Sequence, residues 1–316
     1  MSDNQLIKIT LIGLGNMGKN HLRILSMLKN VELHYIYDIN QNTLDALSKQ
    51  YDVKATTNMN EAMSGADAII ICSPTSLHYD HFLMASKYAK SIFVEKPLAD
   101  SLEKAIRIKE LAEQEDIFVQ TGFIERFNPA VMEIKKIIAK ENTINIDLTR
   151  TNKLSSRITD VDVILDLMIH DIDLALYLNG PVSSVKAYGK KENELVAFAS
   201  AFIEHENGSF SRILASRMTD KKIRSVQATC ADSYIDGDLL RKEIVVSMQS
   251  KTVDYADQQY AISSVEHQVA LRPQEALLTE LQTFIEGCRR QPIDAPGLEA
   301  GIDALLVCQE IQEQIL

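Results

Sequence analysis

The sequence predicts an α/β protein of two domains: a doubly wound parallel sheet, then an α+β domain with an open, mostly antiparallel sheet. At 316 residues the chain is longer than most single compact cores. Strand-like apolar runs alternate with helical patterns as far as residue 122, which is typical of a parallel sheet. Several strand patterns then follow one another. We therefore expect domains at 1–122 and 123–316, with the last helices able to pack back on the first domain.

The first domain is predicted to hold a six-stranded sheet. Its clearest strands are the apolar runs at 8–13, 32–38, 66–72, 91–95 and 117–121. Helical patterns separate them at 17–28, 41–50, 79–88 and 101–114. Doubly wound sheets bind ligands at the carboxyl ends of their strands, so residues that directly follow these runs are the candidates for a site.

The second domain begins with a helical pattern at 129–139 and continues with extended segments. Strand patterns occur at 144–150, 182–188, 196–204, 209–217, 225–231, 233–236 and 243–248. Asn207-Gly208 predicts a tight hairpin turn between two of them. The remaining helices are predicted at 163–178, 273–289 and 298–314.

Composition excludes several classes of protein. A net charge of -11 without a dense basic cluster argues against nucleic acid as a partner. The sequence contains no run of about 18 apolar residues, so it predicts no membrane span. The four cysteines lack CxxC spacing, and the polar start of the chain leaves no room for a signal peptide. We expect a cytoplasmic protein.

A glycine-rich motif directly follows the first strand. Residues 13–18 read Gly-Leu-Gly-Asn-Met-Gly, the GxGxxG pattern of a Rossmann dinucleotide-binding fold. Gly13 permits the tight turn, Gly15 lets the backbone approach a pyrophosphate, and Gly18 allows close packing of helix on strand. Asn16 and Met17 begin the helix, whose N–H groups face the phosphates. The alternative is a turn without a ligand.

Asp38 lies twenty positions after Gly18, at the end of the second strand. A carboxylate there can accept hydrogen bonds from the adenosine ribose and repels a 2′-phosphate. The next two residues supply no cation, so NAD is favoured over NADP as the cofactor. Asp38 could instead cap the following helix.

Polar side chains interrupt an otherwise apolar helix near residue 170. Asp166, His170 and Asp173 are spaced i, i+4, i+7, which places them in a row on one face of an α-helix, whereas Asp171 points elsewhere. Neighbouring carboxylates orient an imidazole and raise its proton affinity, which suits a general base. The alternatives are a solvated face and, less favoured, a zinc site; we expect no metal.

Four motifs, in this order, resemble those of the glucose-fructose oxidoreductase / inositol dehydrogenase (Gfo/Idh/MocA) family over essentially the whole chain. They are the glycine motif at 13–18, Ser73-Pro74-Thr75 with His78, Glu95-Lys96-Pro97, and Asp166 to His170 followed by Asp173. The resemblance implies oxidation of secondary alcohols of cyclic polyols, sugars or sugar nucleotides with a nicotinamide cofactor. The run at 162–173 resembles that of members that oxidise UDP-N-acetylglucosamine at the 3-position.

The resemblance also implies roles for particular residues. Lys96 would hydrogen-bond the reacting oxygen and stabilise its negative charge, His170 would accept the proton, and Asp166 would bind a neighbouring hydroxyl and orient His170. The remaining candidates for the cofactor site are Ser73, Pro74, Thr75, His78 and Glu95. Taken alone, Lys96 could equally be a solvated charge at the end of a strand.

Three further residues are weaker candidates. Arg126 and Asn128 match a family position near the cofactor, where Arg126 is expected to bind substrate along with Asp173. Asn128 could instead cap the helix that begins at Pro129. Arg157 lies in a polar loop and could bind an anionic substrate such as a sugar-nucleotide phosphate, or be a solvated loop charge.

Two other functions fit the same motifs. One is a dehydrogenase of inositol or free sugars, and the other is an NAD-binding regulator without catalysis. Lys96, Asp166 and His170 together argue against the regulator, which would need only the cofactor site. An open sheet face is commonly buried against a second subunit, so we expect a homodimer or homotetramer.

Overall fold

The computed structural model describes residues 6–153, 161–254 and 260–315. The chain forms two compact units. The first consists of the residues up to Ile124 together with Glu275–Leu305. The second consists of Glu125–Gln274 and the residues from Leu306 onward. The boundary at 122/123 expected from sequence lies close to the end of the first segment, and the chain later contributes a second segment to the same unit.

The first unit contains a six-stranded parallel sheet, as the sequence predicts. Its strand order is β3-β2-β1-β4-β5-β6. The strands are β1 Ile7–Ile12, β2 Val31–Tyr37, β3 Ala55–Thr56, β4 Ala68–Ile71, β5 Ser91–Glu95 and β6 Phe118–Gly122. The strand that sequence reasoning missed is β3, because two residues are too short to show any periodicity.

Helices flank this sheet and continue into the rest of the chain. Over the described residues the α-helices are α1 Asn16–Leu25, α2 Gln41–Tyr51, α3 Met59–Met63, α4 His78–Ala85, α5 Leu102–Gln114, α6 Pro129–Ile138, α7 Ile169–Asn179, α8 Ala276–Cys288 and α9 Leu298–Ile315. Leu277, Leu281 and Phe284 of α8 are buried in the same apolar core as β1 and α1. This packing explains why Glu275–Leu305 belongs to the first unit.

The second unit contains an eight-stranded sheet in the order β14-β13-β12-β11-β7-β10-β9-β8. The strands are β7 Thr143–Thr151, β8 Val182–Glu192, β9 Leu195–His205, β10 Phe210–Ser216, β11 Ile223–Cys230, β12 Ser233–Asp238, β13 Glu243–Asp254 and β14 Tyr260–Gln268. Every neighbouring pair is antiparallel except β7 and β10. The sequence did not predict β14, because the run Tyr260–Gln268 contains too many polar residues to form a regular apolar repeat.

One face of this sheet is covered by α6 and α7. The predicted hairpin turn is confirmed between β9 and β10, where Gly208 has φ +85° and the Asn207 side chain accepts a hydrogen bond from the Ser209 amide at 2.9 Å. The predicted helix at 163–178 differs from expectation. It begins with a π-helical turn, Ile164–Met168, and becomes α-helical only at Ile169.

No helix among the described residues is both long enough and apolar enough to cross a membrane.

Candidate active site

The glycine loop has the geometry that a bound pyrophosphate requires. Gly13 has φ +90°, and a Cβ there would lie 2.7 Å from the carbonyl oxygen of Cys72. A Cβ on Gly18 would lie 1.9 Å from the Gly13 oxygen, whereas one on Gly15 would meet nothing within 4 Å. No side chain caps the start of α1. Open space above Gly15 thus faces the positive end of a helix, which fits a dinucleotide phosphate.

Asp38 is bound to the backbone of two neighbouring loops. Its Oδ2 accepts a hydrogen bond from the Leu14 amide at 2.7 Å, and its Oδ1 accepts one from the Asn40 amide at 2.9 Å. The cap of α2 is Asn40, whose side chain accepts from the Thr43 amide at 3.1 Å. Asp38 therefore does not cap this helix, and its position beside the glycine loop fits the ribose role.

The loop after β4 is tied to the loop after β5 by His78. Its ring nitrogens lie 2.7 Å from the Pro97 carbonyl oxygen and 2.8 Å from the Ser73 carbonyl oxygen. The residue is 1% exposed, and burial lowers its pKa although both carbonyls act to raise it. His78 was predicted to contact the cofactor. Its hydrogen bonds make it an internal link that positions Ser73, Pro74 and Thr75, and its contact with the cofactor stays a prediction.

Glu95 and Lys96 end strand β5. The Glu95 carboxylate faces inward and is 2.7 Å from His21 Nε2 of α1, while its other oxygen accepts a hydrogen bond from the Lys96 amide at 3.2 Å. The Lys96–Pro97 peptide bond is cis. Glu95 thus holds the main chain of Lys96 against α1, and its contact with the cofactor stays a prediction.

His21, Glu95 and Cys72 also form a cluster whose ligand atoms lie within 4.8 Å of one another. A metal would require the Cys72 thiolate, but burial raises the pKa of this thiol well above its ordinary value. His21 and Glu95 are already hydrogen-bonded to each other. These observations favour a packed structural cluster over a metal site.

The polar residues of the helix around His170 fall into two groups. Asp171 and Asp173 are buried, being 2% and 1% exposed. Asp166 and His170 are only partly buried. Among these four side chains, therefore, Asp166 and His170 are the two that reach the surface of their unit. The π turn changes the spacing between Asp166 and the two later residues, and Asp173 differs from His170 because its buried carboxylate is paired with Arg126.

Asp173 and Arg126 pair with each other. Arg126 donates from Nη2 to Oδ1 at 2.6 Å and from Nε to Oδ2 at 2.9 Å, and its guanidinium lies 4.5 Å from the Tyr177 ring centroid. Burial raises the pKa of Asp173 to about 6, although Arg126 lowers it. Both residues were expected to bind substrate. Because both carboxylate oxygens accept from Arg126, the pair supports α7, and its contact with substrate stays a prediction.

A second buried network lies beneath the helix, and sequence reasoning missed its centre. Arg150 is 1% exposed and donates to both oxygens of Asp171, at 2.8 and 3.0 Å, and to Glu125 at 2.9 Å. Burial raises the pKa of Asp171 and outweighs the opposing effect of Arg150. Arg150 shares the inward alternation of Ile146 and Leu148, so the pattern of β7 already placed a charge in the core that needed carboxylate partners.

Asn128 caps α6. Its side-chain oxygen accepts a hydrogen bond from the Ala130 amide at 3.1 Å, and its amide nitrogen donates to Glu125 and to the Leu239 carbonyl, both at 3.2 Å. It is 7% exposed. The capping alternative thus fits this residue better than cofactor binding. Arg157, the candidate for an anionic substrate, lies outside the described residues.

Both units match known families in sequence. Residues 7–123 match the profile of the oxidoreductase family with an NAD-binding Rossmann fold, and residues 147–235 match the GFO/IDH/MocA C-terminal domain. The chain belongs to the Gfo/Idh/MocA family. The first unit is accordingly its NAD-binding domain, as the glycine motif and Asp38 predict.

Relatives of established activity align over most of the chain. A UDP-N-acetylglucosamine 3-dehydrogenase of Acidithiobacillus ferrooxidans is 25% identical over 91% of this chain and 90% of its own length. A scyllo-inositol 2-dehydrogenase (NAD(+)) of Bacillus subtilis is 27% identical over 94% of this chain and 93% of its own. This chain is therefore a member of a family of sugar and polyol dehydrogenases.

Solved structures share the fold. The UDP-N-acetylglucosamine 3-dehydrogenase of Acidithiobacillus ferrooxidans superposes with a TM-score of 0.88 at 22% identity, covering 98% of this chain and 97% of that one. The scyllo-inositol dehydrogenase of Lactobacillus casei, with bound NAD(H) and scyllo-inositol, superposes with a TM-score of 0.81 at 19% identity and the same coverage. The predicted fold class of each of the two domains is confirmed.

Proposed function

We propose that this protein oxidises a secondary alcohol of a sugar nucleotide to a ketone with NAD, and that its preferred substrate is UDP-N-acetylglucosamine, oxidised at the 3-position. The observation that carries the dehydrogenase role is the helix on which Asp166 and His170 are partly exposed while Asp171 and Asp173 are buried. An imidazole and a partly exposed carboxylate one helical turn apart are groups that a general base and its orienting partner require.

The cofactor residues are those of the glycine loop and Asp38. NAD, when bound, supplies a hydride acceptor for the carbinol carbon. The amides of Asn16 and Met17 at the start of α1 would hold the pyrophosphate, and Gly15 leaves room for it. Asp38 keeps lone pairs for the adenosine ribose beyond those that accept from Leu14 and Asn40.

Lys96 and His170 share the proton chemistry. Glu95 fixes the main chain of Lys96, whose ammonium group then hydrogen-bonds the reacting hydroxyl and stabilises the negative charge that develops on its oxygen. His170 accepts the hydroxyl proton, and Asp166 orients His170 and binds a neighbouring hydroxyl. Arg157 is proposed to bind an anionic group of the substrate.

Two substrate classes are compared directly by experiment. The alignment with the UDP-N-acetylglucosamine 3-dehydrogenase favours a sugar nucleotide, and the alignment with the scyllo-inositol 2-dehydrogenase supports a free polyol as the second candidate. NADH absorbance is followed with purified protein, NAD and a panel of sugar nucleotides, inositols and hexoses. A signal with polyols alone would replace the first candidate by the second, and bound NAD without any turnover would favour the regulator.

Two variants test the catalytic roles in the same assay. Lys96→Met and His170→Ala are each expected to abolish most turnover and to leave NAD affinity nearly unchanged. Lys90→Met is the matched control, because Lys90 is exposed, pairs with Glu115 and precedes the same strand β5 at its other end. Wild-type rates in Lys96→Met or His170→Ala would remove that residue from the mechanism.

The protein is also proposed to act as a homodimer or homotetramer in the cytoplasm. The outward face of the eight-stranded sheet carries exposed Tyr188 and Phe202, and a second copy of this chain would cover them. All four cysteines are free thiols, which fits a reducing compartment.

A further inference from the structure

Arg217 contacts the beginning of the helix that carries Asp166 and His170. It directly follows β10, and its Nη1 donates to the Val161 carbonyl oxygen. Its Nη2 donates to the Asp162 carbonyl oxygen at 3.3 Å and to Asp166 Oδ2 at 2.9 Å. The side chain is 10% exposed. One guanidinium therefore joins two main-chain oxygens and one carboxylate of the same segment.

The segment that Arg217 holds is the π turn Ile164–Met168. The Asp162 side chain caps it by accepting from the amides of Ile164 and Leu165, at 3.0 and 2.9 Å. A π turn is wider than an α-helical turn, is rare, and is frequently found at functional sites. It changes the angle between Asp166 and His170 from the value that α-helical spacing would give.

Asp166 differs from the other two aspartates of the helix in how its orientation is set. Asp171 and Asp173 are enclosed by packing and by bidentate arginines. The side chain of Asp166 is 27% exposed, so packing constrains it less. The ion pair with Arg217 supplies the constraint that packing does not.

We propose that Arg217 is a positioning residue that orients Asp166, and through it His170. This inference rests on the proposed dehydrogenase function. A planar guanidinium can reach the carboxylate and the two carbonyl oxygens at once, which the single ammonium group of lysine cannot do in the same geometry. Arg217→Lys therefore retains the charge and loses the positioning.

A double-mutant cycle on turnover tests the proposal. Arg217→Met is expected to lower kcat on the order of 10- to 100-fold, since misplaced catalytic groups cost that much, and to leave the Kd for NAD within about twofold. In the Asp166→Asn background the same substitution is expected to lower kcat less than about twofold, because the carboxylate that Arg217 positions is gone. Arg217→Lys takes the place of Arg217→Met in the cycle if the latter does not fold.

Arg107→Met is the matched control. Arg107 lies on α5 and pairs with Glu103, but its side chain is 56% exposed. The change removes the same charge and the same kind of ion pair, and kcat is expected to stay at the wild-type value.

Two results would overturn the proposal in distinguishable ways. Equal fold-losses of kcat for Arg217→Met in the wild-type and Asp166→Asn backgrounds would show that Arg217 does not act through Asp166. Lack of turnover by the wild-type protein on every substrate of the panel would overturn the proposed function and the positioning role together.

Discussion

Gly15 and Gly18 lie in the same loop, but a methyl group added to each would meet very different surroundings. At Gly18 it would overlap the Gly13 carbonyl oxygen, and at Gly15 it would project into open space. One position is thus required by the fold of the loop and the other by what binds above it.

Gly15→Ala and Gly18→Ala are therefore expected to separate folding from binding. Gly15→Ala leaves the Tm unchanged and lowers NAD affinity on the order of tenfold, equivalent to about 1.4 kcal/mol, because the methyl group obstructs the pyrophosphate. Gly18→Ala destabilises the protein by about 1–3 kcal/mol or more through overpacking. Thermal unfolding measures the stability of each variant, and titration calorimetry measures its affinity for NAD. Unchanged NAD affinity in Gly15→Ala would contradict the placement of the pyrophosphate.

The roles of single residues could be predicted from sequence where those roles depend on neighbours along the chain. The glycines and Asp38 follow from local turn geometry and from their position at strand ends. The pairing of Asp173 was not predicted, because its partner, Arg126, comes from a segment 47 residues earlier. Pairings of that kind are set by tertiary packing, which spacing within a helix does not reveal.

At the level of elements, α6 shows how a cap and a site residue can be confused. Asn128 has the residue type and position of a cap, and the family resemblance predicts that the same motif lies near the cofactor. Its hydrogen bonds to Ala130, Glu125 and Leu239 satisfy the side chain inside its own unit.

Asn128→Ala is expected to lower the free energy of unfolding by about 1–2 kcal/mol and to leave NAD affinity unchanged. Loss of the cap and of two buried hydrogen bonds causes the destabilisation. Asn58→Ala is the control, because Asn58 caps the short α3 from an exposed position. This substitution should lower the free energy of unfolding less than Asn128→Ala does. Chemical denaturation with NAD titration checks both, and a large loss of NAD affinity would restore Asn128 to the cofactor site.

The helices and strands were predicted from sequence wherever a repeat was long enough to recognise. The two-residue β3 and the polar β14 lack such a repeat. The π turn before α7 was missed for a different reason. Its apolar pattern suits an α-helix, and what stabilises the wider turn is the Asp162 cap and the distant Arg217.

For the whole molecule, buried histidines couple stability to pH. Burial lowers the pKa of His78, and His81 and His205 shift in the same direction for the same reason. The unfolded chain therefore binds protons before the folded chain as the pH falls through about 6.5, the ordinary pKa of histidine. These groups make the free energy of unfolding fall as the solution becomes acidic.

His78→Gln is expected to reduce that pH dependence. Between about pH 7 and 5.5 the wild-type protein should lose more stability than the variant, with a limit of about 1.4 kcal/mol per pH unit for one proton. The buried Asp173, whose pKa of about 6 acts with the opposite sign, is present in both proteins and cancels in the comparison. Urea denaturation at several pH values measures the difference, and parallel curves would show that His78 is not the group responsible.

The outward face of the eight-stranded sheet supports assembly of two copies. Strand register places Tyr188 opposite Ser200, and Phe202 lies two residues further along on the same face, where it stacks on Phe210. Tyr188 is 79% exposed and Phe202 is 36% exposed. Aromatic side chains grouped on an otherwise polar sheet face are typical of a subunit interface.

Phe202→Glu is expected to convert the proposed oligomer into a smaller species. A carboxylate at this position would be desolvated in the interface without a partner, which costs several kcal/mol of association free energy. Light scattering after size-exclusion chromatography gives the mass of each species. Met27→Glu is the control, because Met27 is a 57% exposed apolar residue of the other unit. The mass of the Met27→Glu variant should match that of the wild-type protein. A monomeric wild-type protein, or an unchanged mass in Phe202→Glu, would place the subunit contact elsewhere or remove it.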